Sequence, residues 1–174
     1  MGARYVTGLI RLVLASALMG AVQLSVLSPI RLAHVTIMLM WIWALALGIS
    51  INRWYATIGG ALVGFMLDAQ SSTPLLTFAV TGALVGYICG RLGEEGIGDL
   101  DGAAWWSGPI VGSLGIVISV LAAMCVATVF GDGTFWRGNA GASMVVNMLL
   151  AALLVRPLGR FARWAIGDDM VVHR

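Results

Sequence analysis

Residues 109–130 read PIVGSLGIVISVLAAMCVATVF and contain no charged side chain. A helix needs about 20 consecutive apolar residues to cross the hydrocarbon core of a bilayer, so this stretch is long enough to span one. The proline at its start suits the first turn of a helix, where a backbone N–H has no intrahelical partner in any case. The stretch therefore predicts a transmembrane helix. Its length is the standard against which the other apolar runs of the chain are compared.

The composition of the whole chain is that of a membrane protein. Hydrophobic residues make up 60% of the 174 residues, charged residues make up 10%, and the mean hydropathy is +0.96. A soluble domain of this size leaves a large share of its surface in water and could not hide so much apolar area. In a bilayer, lipid solvates the apolar side chains while each helix satisfies its own backbone groups. We therefore expect a single transmembrane domain over residues 1–174, of the all-α integral membrane class.

Five further apolar runs are separated by short polar or proline-containing gaps. They cover residues 7–27, 35–51, 54–69, 75–90 and 139–155. Arg91 is expected to stop the run at 75–90, and the pair Arg156-Pro157 is expected to end the last run and to begin an arginine-rich tail. Together with residues 109–130, these runs predict about six transmembrane helices.

The distribution of arginine predicts the orientation, because the chain contains no lysine. With six spans, the N-terminus, the second and fourth loops and the C-terminus share one side of the membrane. That side carries Arg4, Arg11, Arg53, Arg91, Arg156, Arg160, Arg163 and Arg174, and the other side carries only Arg31 and Arg137. Positive charges collect on the cytoplasmic side of membrane proteins. Both termini are therefore expected in the cytoplasm.

A basic segment follows the last predicted span. It contains Arg156, Arg160 and Arg163 together with Trp164. Arginines beside a span are attracted to anionic lipid, and tryptophan prefers the level of the headgroups. The segment is thus predicted to anchor the chain to the membrane surface. The aromatic-studded basic stripe that is typical of single-strand nucleic-acid binding does not occur, so the lipid bilayer and not nucleic acid is the expected partner.

Asp68 is the only acidic residue clearly attached to an apolar run. Gly60, Gly64 and Asp68 recur every four residues and therefore lie on one face of a helix. The two glycines allow a neighbouring helix to come close, which leaves Asp68 at the outer end of the packed face. Two interpretations stay open: the carboxylate contacts a partner or ligand, or it bonds to the hydroxyl residues at 71–73. Because asparagine keeps the size, Asp68→Asn is expected to be mild.

Motifs that carry catalysis are lacking. His34 and His173 have no partner at the spacing of a metal site, and neither a G-x-S-x-G elbow nor a Walker-type phosphate loop occurs. Cys89 and Cys125 sit inside apolar runs without a Cys-x-x-Cys pattern, which favours buried structural thiols. We therefore expect no enzymatic activity, no cofactor and no metal. Asn139 and Asn147, two turns apart in the last run, are expected to hydrogen-bond across helices.

Three glycine-containing or apolar stretches carry a family resemblance: VQLSVLS at 22–28, GALVGFMLD at 60–68 and LVGYICGRL at 84–92. Their order and spacing, and the overall length of the chain, resemble the MreD family of bacterial rod shape-determining proteins. Within the last two stretches, the candidates for a helix-packing or partner-binding face are Gly60, Gly64, Asp68, Gly86 and Gly90.

The resemblance implies a non-enzymatic scaffold of the cell-elongation and peptidoglycan-synthesis machinery. It implies a multi-pass protein of the bacterial inner (cytoplasmic) membrane that acts with a bitopic MreC-like partner. Further implied partners are a wall-synthesis glycosyltransferase, a class B transpeptidase and the actin-like MreB filament.

The family is also similar in fold to the substrate-binding S components of energy-coupling-factor vitamin transporters, which supplies the alternative. Such a protein would bind a small molecule in a polar outward cavity and dock on an ATPase module. The outer loops offer candidate residues for that cavity: Arg31, His34, Asp132, Thr134 and Arg137.

Overall fold

A computed structural model describes residues 2–27, 37–69, 76–95, 107–130 and 140–167, and every element in these ranges is helical. Six α-helices follow one another there, and a π-helical turn, Gln23–Leu27, extends the first: α1 (Gly2–Val22), α2 (Leu39–Ser50), α3 (Arg53–Asp68), α4 (Thr77–Glu94), α5 (Ser107–Phe130) and α6 (Ala140–Ile166). Within these ranges, three segments are long and apolar enough to cross a membrane, namely Val6–Leu27, Gly108–Val129 and Gly141–Ile166. The all-α class is confirmed, and the three long apolar helices indicate a membrane-embedded protein.

The short helix α2 forms the core. Every residue from Leu39 to Ile49 is buried, and the other five helices all contact it. A helix that is apolar on all sides is stable only when other elements surround it, as they do here. Trp43 is fully buried, and its indole Nε1 donates a hydrogen bond of 3.1 Å to the Ser16 hydroxyl on α1. Both ends of this contact are thus fixed inside the helix bundle.

Two buried amide side chains hold the start of α2. The Gln23 side chain donates to the Ile37 carbonyl at 2.7 Å and accepts from the Leu39 N–H at 2.6 Å. Asn147 on α6 accepts from the Met38 N–H at 2.8 Å, which confirms that it bonds across helices, whereas residue 139 lies outside the described residues. The first N–H groups of a helix have no intrahelical acceptor, so a buried helix start needs partners of this kind.

The end of the last helix differs from the prediction, because α6 continues through Arg156 and Pro157 to Ile166. The predicted stop at this pair is wrong. Proline lacks the N–H of a helical hydrogen bond and crowds the carbonyl one turn earlier, at a cost of about 3 kcal/mol in a helix interior. Beyond the proline, Ala162 and Ile166 are buried against the rest of the protein. This packing explains why the helix persists.

Two other boundaries shift by less. The helix α4 runs beyond Arg91 to Glu94, because Gly93 packs closely on Gly48 of α2. In the described part of the run predicted over 35–51, the helix covers Leu39 to Ser50, and residues 35 and 36 lie outside the described residues. The extension of α4 comes from a contact with another helix, which local sequence cannot reveal.

Candidate functional site

The facing surfaces of α3 and α4 meet through glycine. A Cβ atom built on Gly60 would lie 2.8 Å from the carbonyl carbon of Gly82, and one built on Gly82 would lie 2.8 Å from that of Gly60. Real Cβ atoms essentially never come within 3.0 Å of another heavy atom. The two backbones are therefore closer than any residue with a side chain would permit at either position.

Three further pairs continue the same antiparallel register along the α3–α4 hairpin. They join Gly64 to Phe78, Gly86 to Ala56 and Gly90 to Arg53. A Cβ on Gly64 or on Gly86 would lie 2.5 Å from the opposing carbonyl carbon. The four glycines selected from the sequence are therefore brought together on one interface, which lies inside the chain. Whether a partner protein also uses this region stays a prediction.

Gly82 is the member of this interface that the sequence analysis missed. A signal was available, since Gly82, Gly86 and Gly90 recur every four residues along α4. Gly48 is a second omission: a Cβ there would lie 2.6 Å from the backbone nitrogen of Gly90. The helix α2 thus approaches α4 as closely as α3 does near Gly90, and three helices converge at this point.

Asp68 closes one end of the hairpin. Its side chain is buried, and its two carboxylate oxygens accept hydrogen bonds of 2.9 Å from the N–H groups of Phe78 and Ala79. These groups lie in the first turn of α4, where backbone N–H groups lack intrahelical acceptors. Leu76 in the N-cap position makes no side-chain capping bond, so the last residue of α3 caps α4 instead. The predicted alternative partners at 71–73 lie outside the described residues.

Glu94 closes the other end in the same manner, though less tightly. The Arg53 N–H at the start of α3 donates to Glu94 Oε1 at 3.4 Å, and Arg53 Nη1 lies 3.6 Å from Glu94 Oε2. Each helix of the hairpin therefore ends on a carboxylate that faces the N-terminus of the other helix. A negative charge at a helix N-terminus is favourable because the unpaired N–H groups carry partial positive charge.

An apolar cavity of about 260 Å³ lies between α2, α4 and α5. The thiol of Cys89 is the only potentially reactive side chain among the residues that line this cavity. The other lining residues are aliphatic or glycine: Leu45, Ile49, Leu92, Val111, Leu114, Gly115 and Ile118. Among the described residues, no three His, Cys, Asp or Glu side chains group together as metal ligands would. The cavity can accommodate an apolar group, but its wall offers no acid–base pair that could activate one.

The predicted surface anchor lies within α6 and not in a separate tail. Arg160 and Trp164 are exposed, and Arg163 is half-buried. The side chain of Arg156 lies against Gly108 of α5. The outer-loop residues at 31, 34, 132, 134 and 137, which an S component would use, lie outside the described residues.

Most of the buried serine, threonine, amide and carboxylate side chains in the described ranges take part in internal hydrogen bonds. Six of them hydrogen-bond within the chain, mostly to backbone groups: Ser16, Gln23, Asp68, Thr81, Ser119 and Asn147.

Comparison with protein-family models, with curated proteins and with solved structures finds no match to this chain. The function must therefore be inferred from these side chains and from the surfaces that the helices leave exposed.

Proposed function

We propose that this protein is a non-enzymatic scaffold of the bacterial cell-elongation machinery that acts in the inner membrane with an MreC-like bitopic partner. The observation that carries the proposal is that residues of the three MreD-like stretches make the contacts that hold the helices together. Gln23 in the first stretch holds the start of α2, and Asp68 in the second caps α4. The glycines of residues 60–68 and 84–92 line the α3–α4 hairpin.

These contacts favour a scaffold over an enzyme. A catalytic site, or a binding site for a polar small molecule, needs several polar groups that converge on the substrate. In the described ranges, Gln23, Asp68 and Asn147 bond to the starts of helices instead. Thr81 and Ser119 bond to the backbone of their own helices. The outward faces are apolar, as shown by Leu14, Leu153 and Val129, which are 64%, 72% and 82% exposed. Such faces suit lipid and the transmembrane helix of a partner protein.

A topology of six spans with both termini in the cytoplasm belongs to this proposal. The helices α2 and α3 contain 12 and 16 residues, so at 1.5 Å per residue they measure only about 18 and 24 Å. The hydrocarbon core is about 30 Å thick. A helix shielded from lipid by its neighbours, as α2 is, tolerates this shortfall. Reporter fusions at residues 131–133 should then be extracytoplasmic and those at 94–98 cytoplasmic, and the opposite result at either site would contradict the topology.

Depletion of the protein in its native bacterium tests the function. We expect depleted cells to lose their rod shape and to recover it when the unaltered chain is supplied. Leu62→Ile serves as the matched control and should restore shape, whereas Asp68→Leu should restore it poorly. Normal shape combined with a new requirement for an external vitamin would contradict the scaffold and support the S-component alternative.

A further inference from the structure

A groove of about 490 Å³ separates the middle of α1 from the C-terminal end of α6. Its volume falls within the ~300–1,000 Å³ of typical ligand sites. Arg11 is the one charged residue that lines this groove. The rest of the lining is apolar or aromatic and includes Leu14, Leu18, Phe161, Trp164 and Ala165. We call this the α1–α6 groove.

The walls of the groove are fixed by contacts that reach into the core. The ring of Phe161 lies 5.9 Å from that of Trp164 and 6.1 Å from that of Trp43. Trp43 in turn donates its indole N–H to Ser16 on α1, one turn from the groove. The aromatic wall on α6 and the aliphatic wall on α1 are thus held by the same buried residue. A site that is already formed loses little entropy when it binds a ligand.

The polar and apolar parts of the groove lie at different depths. Arg11 lies in the second turn of the span Val6–Leu27, from which its long side chain can reach the membrane surface, and Trp164 lies two residues before the end of the span Gly141–Ile166. Both residues therefore stand near the membrane surface, where arginine and tryptophan are favoured. Leu14 and Leu18 follow Arg11 on α1 and lie one and two turns deeper. Arg11 therefore lies at the depth of the lipid headgroups, and Leu14 and Leu18 lie at the depth of the acyl chains.

From this arrangement we infer that the α1–α6 groove is a binding site for an anionic phospholipid. The Arg11 guanidinium contacts the phosphate, Trp164 flanks the headgroup, and one acyl chain lies along Leu14 and Leu18. Arg11 is exposed, and among the described residues the ion pairs join Arg53 to Glu94 and Arg91 to Glu95. The inference requires insertion in a membrane but not the scaffold function, so either can fail without the other.

Native mass spectrometry of the full-length protein in detergent tests the inference, with phosphatidylglycerol and phosphatidylcholine of identical acyl chains as probes. Phosphatidylglycerol should bind at least fivefold more tightly. Arg11→Gln should remove roughly this factor, since one basic residue near an anionic surface contributes about that much. Arg11→Lys should retain most of it, and Trp164→Ala should weaken both lipids equally.

Arg91→Gln is the matched control, because Arg91 is exposed on α4 and does not line the groove. Equal losses in Arg11→Gln and Arg91→Gln would show general surface attraction and would overturn the site. Asp168 and Asp169 follow Gly167 in the sequence, and the α6 end lies beside Arg11. If replacing both acids by asparagine lowered lipid affinity as far as Arg11→Gln does, Arg11 would act by pairing with these acids and not by binding lipid. The inference would then fail.

A photo-crosslinking amino acid at Leu18 distinguishes lipid from a partner helix. Adducts with phospholipid in native membranes are expected. A protein adduct in place of the lipid adduct would assign the groove to a partner and would overturn the inference.

Discussion

Replacing Asp68 by leucine should destabilise the protein by removing the cap of α4. The leucine side chain offers no acceptor to the N–H groups of Phe78 and Ala79, each of which now bonds to a carboxylate oxygen at 2.9 Å. Both groups are buried, and no other acceptor is available to them inside their own helix. An unsatisfied buried N–H costs about 1–3 kcal/mol. Asp68→Leu should therefore lower the free energy of unfolding by about 2–6 kcal/mol. We expect a value near the lower end of this range, because interhelical hydrogen bonds in membrane proteins average ~0.6 kcal/mol.

Asp68→Asn should fall between the wild type and Asp68→Leu. A carboxamide has a single oxygen, so it can accept one of the two N–H bonds and turns its NH₂ group toward the other donor. The expected loss is about 1–3 kcal/mol. The geometry thus revises the mild effect that the sequence predicts for asparagine, because two simultaneous acceptors are required.

Equilibrium unfolding in mixed micelles measures these losses, with sodium dodecyl sulfate as denaturant and tryptophan fluorescence as the signal. Glu95→Gln is the control, because it removes a carboxylate from the exposed pair with Arg91 and should cost less than about 1 kcal/mol. The expected order of stability is wild type, Glu95→Gln, Asp68→Asn and Asp68→Leu. Wild-type stability in Asp68→Leu would refute the capping role of the carboxylate.

Three further changes test other contacts in the same unfolding assay. Gly64→Leu should lose at least about 1–3 kcal/mol by overpacking against α4, while Leu62→Ile on the same helix should be nearly neutral; equal tolerance would show that the glycine face is not packed. Leu76 has a φ of 76°, so Leu76→Gly should raise stability by about 1 kcal/mol by relieving left-handed strain, and a loss would show that its side-chain contacts dominate. Gln23→Ala should cost about 1–3 kcal/mol and speed amide hydrogen exchange at Leu39; unchanged exchange would argue against its role at the start of α2.

The positions of the helices follow largely from hydrophobic runs, because lipid and core select the same apolar residues. The predicted run at 109–130 corresponds to α5 at Ser107–Phe130. The spacing of Gly60, Gly64 and Asp68 also identifies a helix face, since the helical period places them in one line. The sequence did not reveal which helix covers that face.

The partners in the bonds that join separate helices could not be predicted from the sequence. Asp68 bonds to residues 10 and 11 positions away, and Asn147 bonds to a group 109 positions away. Such pairs form only once the helices have packed, so no local pattern marks the partner. Pro157 shows the converse: a strong local breaker is overridden when the residues beyond it find buried sites.

Affinity purification from native membranes tests the central claim most directly. The full-length protein is isolated under mild detergent after crosslinking, and both proteins and small molecules are identified by mass spectrometry. We expect a bitopic MreC-like protein together with a wall-synthesis glycosyltransferase or class B transpeptidase, and no tightly bound vitamin. Recovery of an ATPase module and a bound vitamin without these wall-synthesis partners would contradict the scaffold account.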